Sequence, residues 1–274
     1  MKSINQIISP IAAEVQQFEA FFGQTLRAET EPMDSIMRYV MDTRGKRLRP
    51  ILVLLGAKMF GEVNGQTLRA ATFVEMLHTA TLVHDDVVDD ADQRRGQSSV
   101  KAHFGNLSAV LAGDYLLAKA MLLLTHPDDH AILQEMMRTT AAMSEGELIQ
   151  NQAFEGINSN HTSPAWNDIP SKATQYLDII TRKTAQLMRS CCATGALSVN
   201  ATPEQVQQIA DFGLTFGILF QLRDDLLDGE NEEQAQALLP VYYEKAMKAL
   251  EGFAPSTITE TLHDLTMFCA EREE

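Results

Sequence analysis

Apolar residues recur along this chain at the three- and four-residue spacing of a helix face, and the strict alternation of a strand is almost absent. The spacing predicts helices over residues 11–28, 33–43, 50–61, 66–91, 107–125, 129–154, 171–198, 203–228, 233–252 and 256–271. Breakers punctuate the pattern at Pro32, Pro50, Gly61, Gly65, Gly96, Pro127, Pro170, Pro203, Gly229 and Pro255. The longest polar connection, residues 156–170, reads as a loop within one domain, and Trp166 lies in it without an evident role. The expectation is a single all-α domain over residues 1–274, a bundle of about ten helices around a central hydrophobic cavity.

Two aspartate clusters of identical spacing break the apolar pattern: Asp85-Asp86-Val87-Val88-Asp89 and Asp224-Asp225-Leu226-Leu227-Asp228. Each closes a strongly apolar segment. On a helix the first and fifth residues of such a cluster stand one turn apart on one face. Like charges so placed cost roughly 0.2–0.5 kcal/mol per pair, and acidic groups at a helix C-terminus oppose its dipole. Bearing that cost twice points to a cation between the clusters. Oxygen-only ligands suit a hard ion such as Mg2+, which takes one or two carboxylates and completes its shell with water and substrate phosphate. If both helices end at one mouth, six carboxylates ring the opening of a greasy shaft. That combination suits a diphosphate head on a hydrocarbon tail.

Composition narrows the picture further. The net charge of −15 argues against a nucleic-acid partner and against an electrostatic membrane anchor. The three cysteines, Cys191, Cys192 and Cys269, have no metal-binding spacing; the adjacent pair reads as small core filling, and the chain as cytoplasmic. The N-terminus lacks a continuous apolar stretch and contains Pro10, so no signal peptide is expected. No run of 18 apolar residues is evident, so membrane contact is expected to be peripheral at most. Met136, Met137 and Met143 read as core or tunnel lining. Against the acidic background the cations gather near anion-binding positions. Lys46, Arg47 and Arg49 stand at a helix start, Arg94 and Arg95 follow the first aspartate cluster, Arg182 and Lys183 sit inside a helix, and His78 lies two turns before Asp85.

The stretches GKRLRP (45–50), HTATLVHDDVVDDADQRRG (78–96), VLAGDYLLA (110–118), EGELIQ (145–150), RKTAQLMRSCCATGA (182–196) and FQLRDDLLD (220–228) together resemble the trans-isoprenyl diphosphate synthase, or polyprenyl synthetase, family. The resemblance runs over roughly residues 25–230 and implies an elongating prenyltransferase acting on isopentenyl diphosphate and an allylic diphosphate. It implies that Asp85 and Asp89 bind two Mg2+ ions and Asp224 a third, with Asp86, Asp225 and Asp228 in support. Arg94 and Lys183 would contact the allylic diphosphate. Lys46, Arg49, His78 and Arg95 would hold isopentenyl diphosphate, and Thr184 and Gln221 would flank the reacting carbons. Arg47 reads as structural, and His84 is left unassigned. The family also implies a homodimer.

In this family the residues just before the first aspartate motif gate product length. Here they are small, Ala80 and Thr81. The tunnel would continue past Leu77 and Val74 to Phe73, about 18 Å down the helix from Asp85. That implies a medium- or long-chain all-trans product of the octaprenyl kind. The chain departs from the family behind its second motif. Relatives usually carry a glycine-lysine loop there, whereas the only lysines beyond Lys183 are Lys245 and Lys248, on an expected helix. A non-catalytic or partner-dependent subunit of such a synthase is therefore one alternative, and a class I terpene cyclase is another. The doubled aspartate motif disfavours the cyclase.

Overall fold

The protein is described by a computed structural model over residues 2–42, 45–155 and 172–273. In chain order it forms α1 (Ile4–Ile7), α2 (Ala12–Thr25), α3 (Glu31–Asp42), α4 (Leu48–Lys58), α5 (Gly65–Val88), a hairpin of β1 (Gln93–Arg94) and β2 (Gln97–Ser98), α6 (Val100–Phe104), α7 (Asn106–Leu123) and α8 (His130–Glu155). There follow α9 (Lys172–Ile180), a π-helical turn (Thr181–Ala185), α10 (Gln186–Ser198), α11 (Pro203–Asp228), α12 (Glu232–Leu250) and α13 (Thr257–Glu271). The architecture is all-α, as the periodicity predicts.

The two helices that carry the aspartate motifs have well-marked ends. At the start of α5 the Asn64 side chain accepts from the backbone N–H groups of Gln66 and Thr67, and the Asn64 backbone N–H donates to the Thr67 hydroxyl. Thr202 and Gln205 make the same reciprocal pair ahead of α11, with Pro203 at its first position. Gly229, at φ 72°, stops α11 immediately after Asp228. Both motifs are thereby pinned to a helix C-terminus.

α10 is the hub, packed by α4, α5, α8 and α11. Its residues from Leu187 to Ala196 are buried almost without interruption, the pattern of a helix enclosed on all sides. Close approach depends on glycine. A Cβ on Gly195 would lie 2.1 Å from the Val53 carbonyl oxygen, and one on Gly56 would lie 2.6 Å from that of Cys192. Cys191, Cys192 and Cys269 are free and buried.

Several expectations need correction. The helix expected over 171–198 is interrupted by the π turn, which inserts an extra residue into the hydrogen-bond register. The helix expected over 66–91 ends at Val88 and gives way to the hairpin. There Arg95 (φ 51°) and Gly96 (φ 76°) supply the two left-handed residues of a tight turn. Helix α4 starts at Leu48, ahead of Pro50. The polar connection at 156–170 lies outside the described residues. Helix α7 contains no uninterrupted run of 18 apolar residues, but by length and composition alone it is long and apolar enough to cross a membrane, with a mean hydropathy of 1.3 over 18 residues. It nonetheless packs along α5 and α6, and it carries Asp114 and Lys119.

Candidate active site

The first motif occupies the last turn of α5. Asp85 is part-buried, and its carboxyl is pushed up to about 6, foremost by burial, then by the negative charges of Glu147 and Asp89 against the pull of Lys183. Asp86 is 2 % exposed and accepts from Arg94 Nε at 2.7 Å. The hairpin aims that arginine back at the helix end. Asp89 caps the helix and is exposed.

The second motif ends α11. Asp224 pairs with Arg272 at 2.5 Å, and burial raises its carboxyl above the ordinary range, with Arg272 opposing. Asp225 is 5 % exposed and fully engaged: Tyr176 donates its hydroxyl at 2.6 Å and Gln221 its amide at 2.7 Å. Gln221 in turn accepts from the Thr184 hydroxyl at 2.7 Å. Asp228 is exposed. Lys183, in the π turn beside Thr184, pairs with Glu147 at 2.6 Å and donates to Gln150 at 3.1 Å.

Beside Asp224 opens a cavity of about 580 Å3. Lys46, Arg47, Arg49, His78, Arg95 and Arg272 line it, together with the acids Glu75 and Asp224 and an apolar wall that includes Phe216, Phe220 and Phe268. Arg49 Nη1 lies 2.9 Å from His78 Nε2. Burial, then the positive charges of Arg49 and Arg95, hold His78 well below its ordinary range. Its ring is therefore neutral and accepts from Arg49. Arg47 pairs with Glu75 at 2.5 Å and lies over the Phe22 ring, a structural placement. The Nε atoms of Arg49 and Arg272 are buried without a hydrogen-bond partner. Two donors left open in a basic, enclosed space are a strong sign of an anion site.

The fold brings Lys46, Arg49, His78 and Arg95 to one cavity with Asp224, and Lys183 into the electrostatic reach of Asp85. Arg94, paired with Asp86, lines a second, smaller pocket that also takes in His78 and Arg95. Of the proposed tunnel residues, Phe73, Val74, Leu77 and Ala80 are 0–1 % exposed, while Thr81 is part-exposed. In this conformation those four are packed into the core. Arg272, Tyr176, Glu147 and Glu75 were not anticipated. Arg272 follows α13 and carries no motif, so only the folded chain reveals it. The connection behind the second motif is residues 229–231 and contains no lysine, and Lys245 lies in α12 over the Tyr242 ring.

Among the described residues no three His, Cys, Asp or Glu side chains converge on one point. The donor set still fits Mg2+, which needs only one or two protein carboxylates when phosphate and water complete the shell. Asp85 and Asp224, whose carboxyls burial and neighbouring acids make costly to ionise, are the groups a cation would relieve.

Fold and site together define an all-α protein of the isoprenoid-synthase type. The polyprenyl synthetase family model matches residues 30–237, and the chain belongs to that family. It is 36 % identical over 223 residues to an all-trans-nonaprenyl-diphosphate synthase (geranyl-diphosphate specific) of Rhodobacter capsulatus, covering 81 % of this chain and 65 % of that one. It is 31 % identical to heptaprenyl diphosphate synthase component 2 of Geobacillus stearothermophilus, covering 93 % and 81 %. The solved structure of a decaprenyl diphosphate synthase from Rhodobacter capsulatus superposes with a TM-score of 0.84 at 25 % identity, over 99 % of this chain and 100 % of that one. The chain spans about two thirds of the length of the first of these relatives.

Proposed function

We propose that the protein is a Mg2+-dependent prenyltransferase that condenses isopentenyl diphosphate with an allylic diphosphate to make a medium- or long-chain all-trans polyprenyl diphosphate. The observation that carries this reading is the cavity where Lys46, Arg49, His78, Arg95 and Arg272 meet Asp224. It is a basic pocket with ample room for a diphosphate, set beside a carboxylate motif.

Each group has a part. Lys46, Arg49 and Arg95 hold the diphosphate of isopentenyl diphosphate, and neutral His78 orients Arg49. Lys183 and Arg94 face the allylic diphosphate. Asp85, Asp89 and Asp224 would hold three Mg2+ ions, with Asp86, Asp225 and Asp228 in support. Held by these carboxylates, Mg2+ would supply positive charge against the departing diphosphate. Phe216, Phe220 and Phe268 keep water from the cation. Holding both substrates side by side replaces a bimolecular encounter with a near-unimolecular one. Thr184 and Gln221 flank the reacting carbons. Ala80 and Thr81 are the small α5 residues a lengthening chain would pass, with Leu77, Val74 and Phe73 below them; Ala80 and those three are packed into the core here and would have to part to admit it. The protein works in the cytoplasm as a homodimer.

A partner-dependent subunit is the second reading. It is favoured by the similarity to a heptaprenyl synthase component and by the exposed apolar face of α7.

The test is a product assay with Mg2+, farnesyl diphosphate and labelled isopentenyl diphosphate, resolving dephosphorylated products by length. Label in long products, abolished by chelator and reduced at least 100-fold in Asp85→Ala, is expected. No incorporation with any allylic primer by the folded protein would move the assignment to the partner-dependent reading.

A further inference from the structure

Tyr176, on α9, lies outside every motif, yet its phenol reaches the second aspartate motif. The ring is 8 % exposed. From it a chain of three short bonds runs to Thr184: Tyr176 to Asp225 at 2.6 Å, Gln221 to Asp225 at 2.7 Å, and Thr184 to Gln221 at 2.7 Å.

The direction of every bond in this chain is determined. Tyr176 donates its hydroxyl to one Asp225 oxygen and Gln221 its amide N–H to the other. The Gln221 amide nitrogen is thereby committed, and its carbonyl oxygen must face Thr184. Thr184 must then donate to Gln221. Its proton is spent inside the protein, and only oxygen lone pairs remain for the site.

Thr184 sits in the π turn, next to Lys183 and packed between α8 and α11. Such turns depart from regular helix geometry and cluster at functional positions. A hydroxyl free to rotate could point its positive end at a developing cation. A hydroxyl fixed as donor elsewhere presents its negative end, which is worth most in a site closed to water.

We propose that Tyr176 is a positioning residue for prenyl transfer: through Asp225 and Gln221 it fixes Thr184 as a donor and turns the Thr184 oxygen lone pairs toward the developing allylic cation. The proposal rests on the function given above. It also assigns Asp225 an orienting part, since both of its oxygens already accept bonds from the protein.

Tyr176→Phe removes the hydroxyl and keeps the ring. The expected result is a fall in kcat of about tenfold, smaller than the hundredfold or more that removing a directly contacting group costs. KM for both diphosphates should stay within about twofold, because neither diphosphate touches the relay. In a Thr184→Val background the same substitution should change kcat by less than about twofold, while in Thr184→Ser, which keeps the donor, it should retain its full effect. A kcat within twofold of wild type in Tyr176→Phe, or effects that simply multiply in the valine background, would overturn the relay and leave the functional reading intact. A wild-type protein that transfers no prenyl group from any primer would overturn the functional reading itself, and the relay with it.

Discussion

Asp34 and Asp85 are the same residue type with opposite behaviour, and their neighbours account for it. Asp85 faces other acids and is pushed up to about 6. Asp34 accepts from Arg27 and from the Ala28 backbone N–H, with Arg38 nearby, and is held down to about 2. The folded value of Asp34 lies below its ordinary 3.8, so its ionised form stabilises the fold. That contribution is complete above about pH 4 and is lost as the pH falls toward 2. Asp34→Asn should therefore lower the thermal midpoint most at neutral pH, with the gap to wild type closing in acid. Parallel melting curves from pH 7 to pH 3 check this, and a gap independent of pH would refute it. At this scale the sequence was legible where residues fall in motifs. Asp85 and Asp224 stand out from spacing, and Lys46, Arg49 and His78 from the family resemblance of the stretches that hold them. Arg272 and Tyr176 do not, because nothing local marks them and their roles arise from where α13 and α9 come to rest.

At the scale of elements, periodicity and breakers placed the long helices well, because one apolar face and one cap suffice to define each of them. What periodicity could not show was how closely the helices approach. The α4–α10 contact depends on Gly195, where a Cβ would lie 2.1 Å from a backbone oxygen that cannot rotate away. Gly195→Ala should force the two helices apart and cost about 1–3 kcal/mol, the usual price of overpacking. Helix propensity pulls the other way by up to about 1 kcal/mol, so net destabilisation means the close contact outweighs it. Gly65→Ala is the control, since its Cβ would meet only a flexible arginine end at 3.5 Å. Denaturant midpoints should fall for the first and hold for the second. The hairpin and the π turn were illegible for a related reason. Two-residue strands and a single inserted residue leave almost no periodic trace, yet they aim Arg94 at Asp86 and carry Lys183 and Thr184 to the site.

At the scale of the whole molecule, helix α7 leaves one face uncovered by the described residues. Leu107 is 75 % exposed, Leu111 50 %, Met121 39 % and Leu122 69 %. At 100° per residue these four fall within about 100° of one another, a single stripe along the helix. Its opposite side packs on α5, the helix that carries the first aspartate motif. A stripe of this kind in water marks an interface, and a second copy of this chain meeting it across a twofold axis would bury the same leucines from both sides. The expected state is a dimer by light scattering at micromolar concentration. Leu111→Glu combined with Leu122→Glu should give a monomer, because each protomer would then bring two unpaired charges to a dry surface. Neither side chain is buried in the single chain, so the monomer itself should keep its fold, with each substitution costing about 0.5 kcal/mol or less. A wild-type protein that is monomeric and elongates prenyl chains would show that the stripe serves neither reading. A monomer that gains activity only when a different protein covers α7 would establish the partner-dependent one.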